Sequence, residues 1–227
     1  MKVDLIAYTE GADHVCNLAA KNCVSEEMPE LFEMDDEGFA YLVDSECKSL
    51  KHALASGHMS IAEHATFTFS IEGVSRVTEI QLVRHRIGAS YAIQSGRYCT
   101  RDPTNYVMAF DPTGADEKYF DDFDRALTAL DEHLKEKGVS AEDRRYFYPQ
   151  GLMTNIVVTV NARELLHMAS ERMCTRAQWE IREMVTEMVK LARVFAPTLF
   201  ENAGPKCMRL GYCPERKGCG LYPPKEV

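Results

Sequence analysis

From Ala65 to Glu72 the chain alternates without a break: Ala65, Phe67, Phe69 and Ile71 are apolar, while Thr66, Thr68, Ser70 and Glu72 are polar. Successive side chains of a strand point to opposite faces, so this segment covers a core with one face and meets a polar environment with the other. Val3, Leu5 and Ala7 suggest a first strand, and the β-branched run 155–160 suggests another. Between such segments the period changes. Phe120, Phe123, Leu127, Leu130 and Leu134 recur at intervals of three and four, with Gly138 supplying a left-handed stop. A second stripe, Ile181, Met184, Val185, Met188, Leu191, Ala192 and Phe195, ends before Pro197 and is read as core packing in preference to a Met-rich binding groove. Shorter helices are predicted at 11–22, 45–56 with Gly57 as stop, 74–85, and 162–173 with Asn161 as N-cap. These elements add up to an α+β fold with a mainly antiparallel sheet and long amphipathic helices.

With 227 residues, 45% of them apolar, the chain can bury one core or a tightly joined pair. Its apolar runs are only a few residues long and its first ten residues lack a signal-peptide core. No spanning helix or secretory leader is therefore expected, and the cytoplasm is the expected location. The net charge of −9 has the wrong sign for a general surface that coats nucleic acid or membrane. Glu26, Glu27, Glu30, Glu33, Asp35, Asp36, Glu37, Asp44 and Glu46 fall in one stretch without a base, which reads as a solvated face. Conversely, Arg76, Arg84, Arg86, Arg97 and Arg101 are opposed only by Glu79, which reads as a local cationic site. Guanidinium presents a rigid fork of donors, suited to phosphate or a polar ring edge.

Eight cysteines (16, 23, 47, 99, 174, 207, 213 and 219) in a chain without an export signal read as reduced thiols. The last three are spaced C-x5-C-x5-C in a Gly/Pro-rich tail. That is not the spacing of common zinc sites, so a packed or flexible tail is the preferred reading.

Three clusters carry chemistry. His58, Ser60, Glu63 and His64 follow the helix stop, but they do not form H-E-x-x-H, and structural or ligand-contacting histidines are expected with no metal. Gln81, Arg84, His85 and Arg86 run into a Gly/Ser-rich loop that returns through Gln94 to Ser95, Gly96, Arg97 and Tyr98. Loop amides, hydroxyls and guanidiniums there can surround a phosphate. Arg144 and Arg145 are followed by Asn161, Arg163, His167 and Arg172. Arg163 and His167 share a helix face, so an anion can be gripped from two directions.

In order and approximate spacing, Gly57-His58…Glu63-His64, Arg84-His85-Arg86…Ser95-Gly96-Arg97-Tyr98, Asn161-Ala162-Arg163 and Ala177-Gln178-Trp179-Glu180 resemble the flavin-dependent thymidylate synthases. The resemblance implies residues 1–203 as the catalytic domain, with residues 204–227 as a Cys-containing tail beyond the shared core. It also implies a homotetramer with active sites assembled from several subunits, and conversion of dUMP to dTMP with methylenetetrahydrofolate as carbon donor and NADPH-reduced FAD as hydride donor. FAD contacts carried over are His58, Ser60, Glu63, Arg84, His85, Arg86, Ile87, Asn161, Arg163 and His167. The dUMP contacts are Gln81, Arg84, Gln94, Ser95, Gly96, Arg97, Arg145 and Arg172. Arg172 takes the catalytic role of favouring ionisation of the uracil ring. The eight residues 87–94 before Ser95 are one more than the family's usual spacing, Ala92-Ile93 stands where an Asn and an acid or amide are common, and His167 replaces a frequent Asn. Two readings from other classes stand beside it. One is a metal-dependent phosphohydrolase using His58, Glu63, His64 and His85. The other is an RNA-binding module stacking bases on Tyr91 and Tyr98, against which the net charge argues.

Overall fold

A computed structural model describes residues 1–30, 32–34, 40–42, 46–99 and 101–225. In chain order the elements are β1 (Lys2–Tyr8), α1 (Ala12–Asn22), β2 (Phe32–Met34), β3 (Ala40–Leu42), α2 (Lys48–Ala55), a 3-10 turn at Met59–His64, and β4 (Thr66–Ser75). After these come α3 (Arg76–Leu82), β5 (Ala89–Ile93), α4 (Ala115–Glu136), α5 (Ala141–Arg144), β6 (Met153–Asn161), α6 (Ala162–Arg172), α7 (Trp179–Phe195) and α8 (Lys206–Leu210). One four-stranded antiparallel sheet has the order β1-β4-β6-β5, and β2 pairs with β3 in a separate antiparallel ribbon. Asp35, Asp36, Glu37 and Asp44 of the acidic stretch lie outside the described residues.

The chain packs as two compact units, one of residues 1–2, 71–84 and 91–157, the other of residues 3–70, 85–90 and 158–227. In the first, Ile71, Val74, Leu82 and Ile156 are buried, and α4 buries only Leu127 of its apolar stripe, leaving Phe123 and Leu130 exposed. Ser75 ends β4 and starts α3 by accepting the Thr78 N–H on its hydroxyl at 3.1 Å.

The second unit holds the larger core. The alternation read at 65–72 puts Phe67 and Phe69 fully inside, where Phe67 meets Phe200 edge to face at 5.3 Å. Burying such a ring stabilises by about 1.5–3 kcal/mol. Ile181, Met184, Val185, Met188, Val189 and Ala192 of α7 complete the core, so the Met stripe packs inward. Phe195 departs from the predicted stripe: it is exposed and stacks on Tyr8 at 4.1 Å. Gly57 ends α2 in the left-handed region, at φ 79. In α1, Asp13 is buried and its two carboxylate oxygens accept the backbone N–H groups of Thr198 and Leu199, at 2.7 and 2.9 Å.

The segment after Arg86 is a correction. Read as a Gly/Ser-rich loop, it contains strand β5, which lies beside β6 at the sheet edge. Ladder hydrogen bonds override the weak propensities of Ala89, Ser90 and Ala92.

Candidate active site

In the second unit, the end of β6 (158–161) runs directly into α6. Asn161 sits at the junction with extended backbone, and its side-chain oxygen accepts the Glu164 N–H at 2.9 Å, which is the predicted N-cap. The Asn161 backbone N–H donates to Gly88 O at 2.8 Å. The approach of Gly88 is so close that a Cβ there would lie 2.2 Å from Asn161 Nδ2. This fastens the segment after His85 to the start of α6.

On α6, Glu164, His167 and Arg172 project toward His85. Glu164 Oε1 lies 3.0 Å from His85 Nδ1, Arg172 Nε donates to His85 Nε2 at 3.0 Å, and the His167 ring meets the His85 ring edge to face at 5.7 Å. His85 and Glu164 are buried, and burial pushes the Glu164 carboxyl above the usual carboxylate range, with His167 and Arg163 pulling the other way. Arg163 pairs with Glu63 of the 3-10 turn, both side chains being about half exposed. His58 before that turn and Ser60 within it are exposed, and Ile87 projects into solvent. His58, Ser60, Glu63, His85, Arg86, Ile87, Asn161, Arg163, His167 and Arg172 therefore all belong to one unit, in which His85 meets both His167 and Arg172, and Arg163 meets Glu63.

The remaining expected residues, Gln81, Arg84, Gln94, Ser95, Gly96, Arg97 and Arg145, belong to the first unit. Arg97 Nε and Glu142 Oε1 are 3.0 Å apart, Arg145 Nε donates to Glu142 O at 2.9 Å, and Arg145 Cδ would be 3.2 Å from a Cβ on Gly96. A side chain at position 96 would press on Arg145, which would have to shift by a few tenths of an ångström. The Ser95 hydroxyl accepts the Arg97 backbone N–H at 3.2 Å, and Gln81 bonds back to Val77 O. Glu142, absent from the sequence reading, gathers both guanidiniums; nothing in its local pattern signals this.

Two of the five arginines counted toward the cationic site are structural. Arg76 pairs with Glu79 at 2.7 Å, and Arg101 donates to the carbonyls of Met153 and Gln94 and to the Thr154 hydroxyl. Glu79 sits in a desolvated setting that raises its carboxyl, so this network consumes charge inside the fold. Arg144 is likewise buried against Asp131, at 2.8 Å. By contrast, Arg84 and Arg86 are exposed and engage no partner among the described residues.

The hydrolase arrangement of His58, Glu63, His64 and His85 is not assembled. Among the described residues, the group with three possible ligand atoms within 4.8 Å of one another is His85, Glu164 and His167. Both ring nitrogens of His85 are already engaged there, and an Arg172 guanidinium stands where it would repel a cation. All eight cysteines are free thiols, and burial beside Asp13 pushes Cys16 up to about 12, leaving it an inert thiol. No described helix is long and apolar enough to cross a membrane.

Comparison with known proteins identifies the family. Residues 4–198 match the family Thy1, described as thymidylate synthase complementing protein. A flavin-dependent thymidylate synthase of Geobacter sulfurreducens is 40% identical over 95% of this chain and 91% of its own length. Relatives of the same name from Nitratidesulfovibrio vulgaris (48%, covering 75% of this chain and 74% of theirs) and Pyrococcus furiosus (42%, covering 85% and 82%) are similar. A flavin-dependent thymidylate synthase from Helicobacter pylori, solved in complex with FAD and dUMP, shares the fold. It has a TM-score of 0.67 and 23% identity, over 90% of this chain and 100% of that one. With a family match across most of its length and relatives at 40–48% identity of which it covers 74–91%, the chain belongs to the flavin-dependent thymidylate synthases of the Thy1 family.

Proposed function

We propose that this protein forms dTMP from dUMP as an FAD-dependent methyl-transferring enzyme, with methylenetetrahydrofolate as carbon donor and NADPH as reductant. The observation that carries the reading is the 40% identity to a flavin-dependent thymidylate synthase across 95% of the chain. The donor set suits FAD. Arg86, exposed and unpaired among the described residues, and Arg163, whose Glu63 partner is exposed and displaceable, offer guanidiniums to a diphosphate, and Arg84 offers a third. His58, Ser60, His85, Ile87, Asn161 and His167 supply the remaining polar and apolar contacts. When bound, FAD supplies hydride chemistry that no side chain can provide.

The chain's own contribution is position and charge. Arg97 and Arg145, gathered by Glu142, bind the nucleotide phosphate, with Ser95, Gly96, Gln94 and Gln81 completing the grip. Arg172, held through its Nε, presents its terminal nitrogens to the uracil edge and stabilises negative charge as the ring ionises. Residues 1–203 act as the catalytic domain and 204–227 as an appended tail. Arg176 holds that tail through Glu215, at 3.2 Å, and the carbonyl of Lys217. Subunits assemble as a homotetramer with shared sites.

The purified protein should be yellow, and should form dTMP only when methylenetetrahydrofolate and a reductant are both supplied. A colourless protein that takes up no added FAD would end this reading. No cysteine serves as nucleophile. Cys99, whose backbone N–H donates to Ser95 O at 3.1 Å, is the thiol nearest in sequence to the Ser95-Gly96-Arg97 segment. Cys99→Ser is therefore expected to keep substantial dTMP formation, measured as steady-state rate. A stable Cys99 adduct with a 5-fluorinated dUMP, lost together with activity in the variant, would reverse the assignment.

A further inference from the structure

His85 stands between two groups that dictate where its proton lies. An arginine Nε carries a hydrogen and can only donate, so its 3.0 Å contact makes His85 Nε2 an acceptor. The ring proton then belongs on Nδ1, where Glu164 Oε1 receives it at 3.0 Å. An imidazolium would turn an N–H toward the arginine N–H and is excluded by the same contact. Donation runs one way, from Arg172 to His85 to Glu164.

Glu164 is free for this task because of how α6 begins. It is the third residue after the cap Asn161, the position from which a glutamate ordinarily folds back to the cap's backbone N–H. That N–H is already given to Gly88 O at 2.8 Å, and the carboxylate bonds His85 instead. Its raised carboxyl means that burial makes ionisation harder in the folded state than in the unfolded chain. The stabilisation this gives is present below the ordinary carboxylate range and is lost as pH rises through the raised value, so at neutral pH the ionised group costs stability. Folding alone does not account for a carboxylate in this place.

We propose that Glu164 is a positioning residue for dTMP formation: it holds the His85 proton on Nδ1, and the bare Nε2 so presented aims the Arg172 guanidinium at the substrate through its Nε–H. This rests on the role given to Arg172 above. The terminal nitrogens of Arg172 make no bond among the described residues, so the one contact through Nε sets its direction.

The test uses the flavin-loaded enzyme with nitrogen-15-labelled histidine, and the variants E164L and E164Q. Wild-type His85, identified by its absence in H85Q, should show a protonated Nδ1 and a bare Nε2. E164L removes the acceptor. Its kcat should fall about tenfold to a hundredfold, as when a supporting partner is lost, with the dUMP KM changing far less and the Nδ1 proton no longer held. E164Q keeps an oxygen that accepts from Nδ1 and should restore much of the rate. Wild-type turnover in E164L, or equal losses in both variants with Nδ1 still protonated, would overturn the proposal. So would a wild-type His85 protonated at Nε2, a result that can be read without turnover and that also decides the matter should E164L fail to fold. A wild-type protein that forms no dTMP would refute the functional reading instead, leaving the histidine spectrum to decide for the relay.

Discussion

Arg172→Ala is expected to lower dTMP formation by roughly a hundredfold or more while flavin stays bound, by analogy with other preorganised groups that act mainly in the transition state. Arg172 is the last residue of α6 and only its Nε is engaged, so its truncation leaves the helix and the Asn161 cap intact. The loss should therefore fall on kcat, with flavin absorbance and unfolding temperature near those of the unaltered protein. Arg172→Lys should recover little of it. An ammonium is a point charge without the planar fork, and lysine has no Nε–H to offer His85 while its charged end reaches the substrate. Turnover near normal in the alanine variant would take Arg172 out of the reaction.

The second large effect is structural. Gly88→Ala should lower stability by about 3 kcal/mol, the sum of a left-handed backbone (about 1–2) and a collision in a packed site (about 1–3). Gly88 has φ +75, and its new methyl would lie 2.2 Å from Asn161 Nδ2 and 2.6 Å from Asn161 Cγ. Asn161 cannot swing aside freely, because its side chain caps α6 and its N–H is bonded to Gly88 itself. For a chain of this size the melting temperature should drop by roughly 6–12 °C. Flavin retention should fall as well, because α6 carries Arg163 and His167. A melting temperature unchanged in scanning calorimetry would show that the two segments are not fastened here.

The main elements could be read from pattern because their periods are long and their punctuation is explicit. The alternation at 65–72 lies almost wholly inside Thr66–Ser75, the Asn161 cap and α6 fall where expected, and Gly57 and Gly138 both take positive φ after their helices. Strand β5 was hidden because Gly88, Ala89 and Ser90 have weak strand preferences, and only pairing beside β6 decides the matter. The charge count at Arg76–Arg101 could not separate guanidiniums consumed by Glu79 and by carbonyls from those left exposed, since the partners of Arg101 lie as far away as Met153 and Thr154. Glu164 carried a faint signal, an acid three residues after a capping asparagine. What diverts it to His85 is the carbonyl of Gly88, on a segment whose path no local pattern announces.

The carboxylate of Asp13 receives its two N–H donors from residues that follow it by 185 and 186 positions. A ribosome adding about 5–20 residues per second needs roughly 10–40 s to reach them. Through that interval α1 can form as a helix but cannot be locked in place, and its buried acid must stay hydrated. Completion of the second unit therefore waits until Thr198 and Leu199 have been made, and a nascent chain halted before Thr198 should remain open to proteolysis at its first helix.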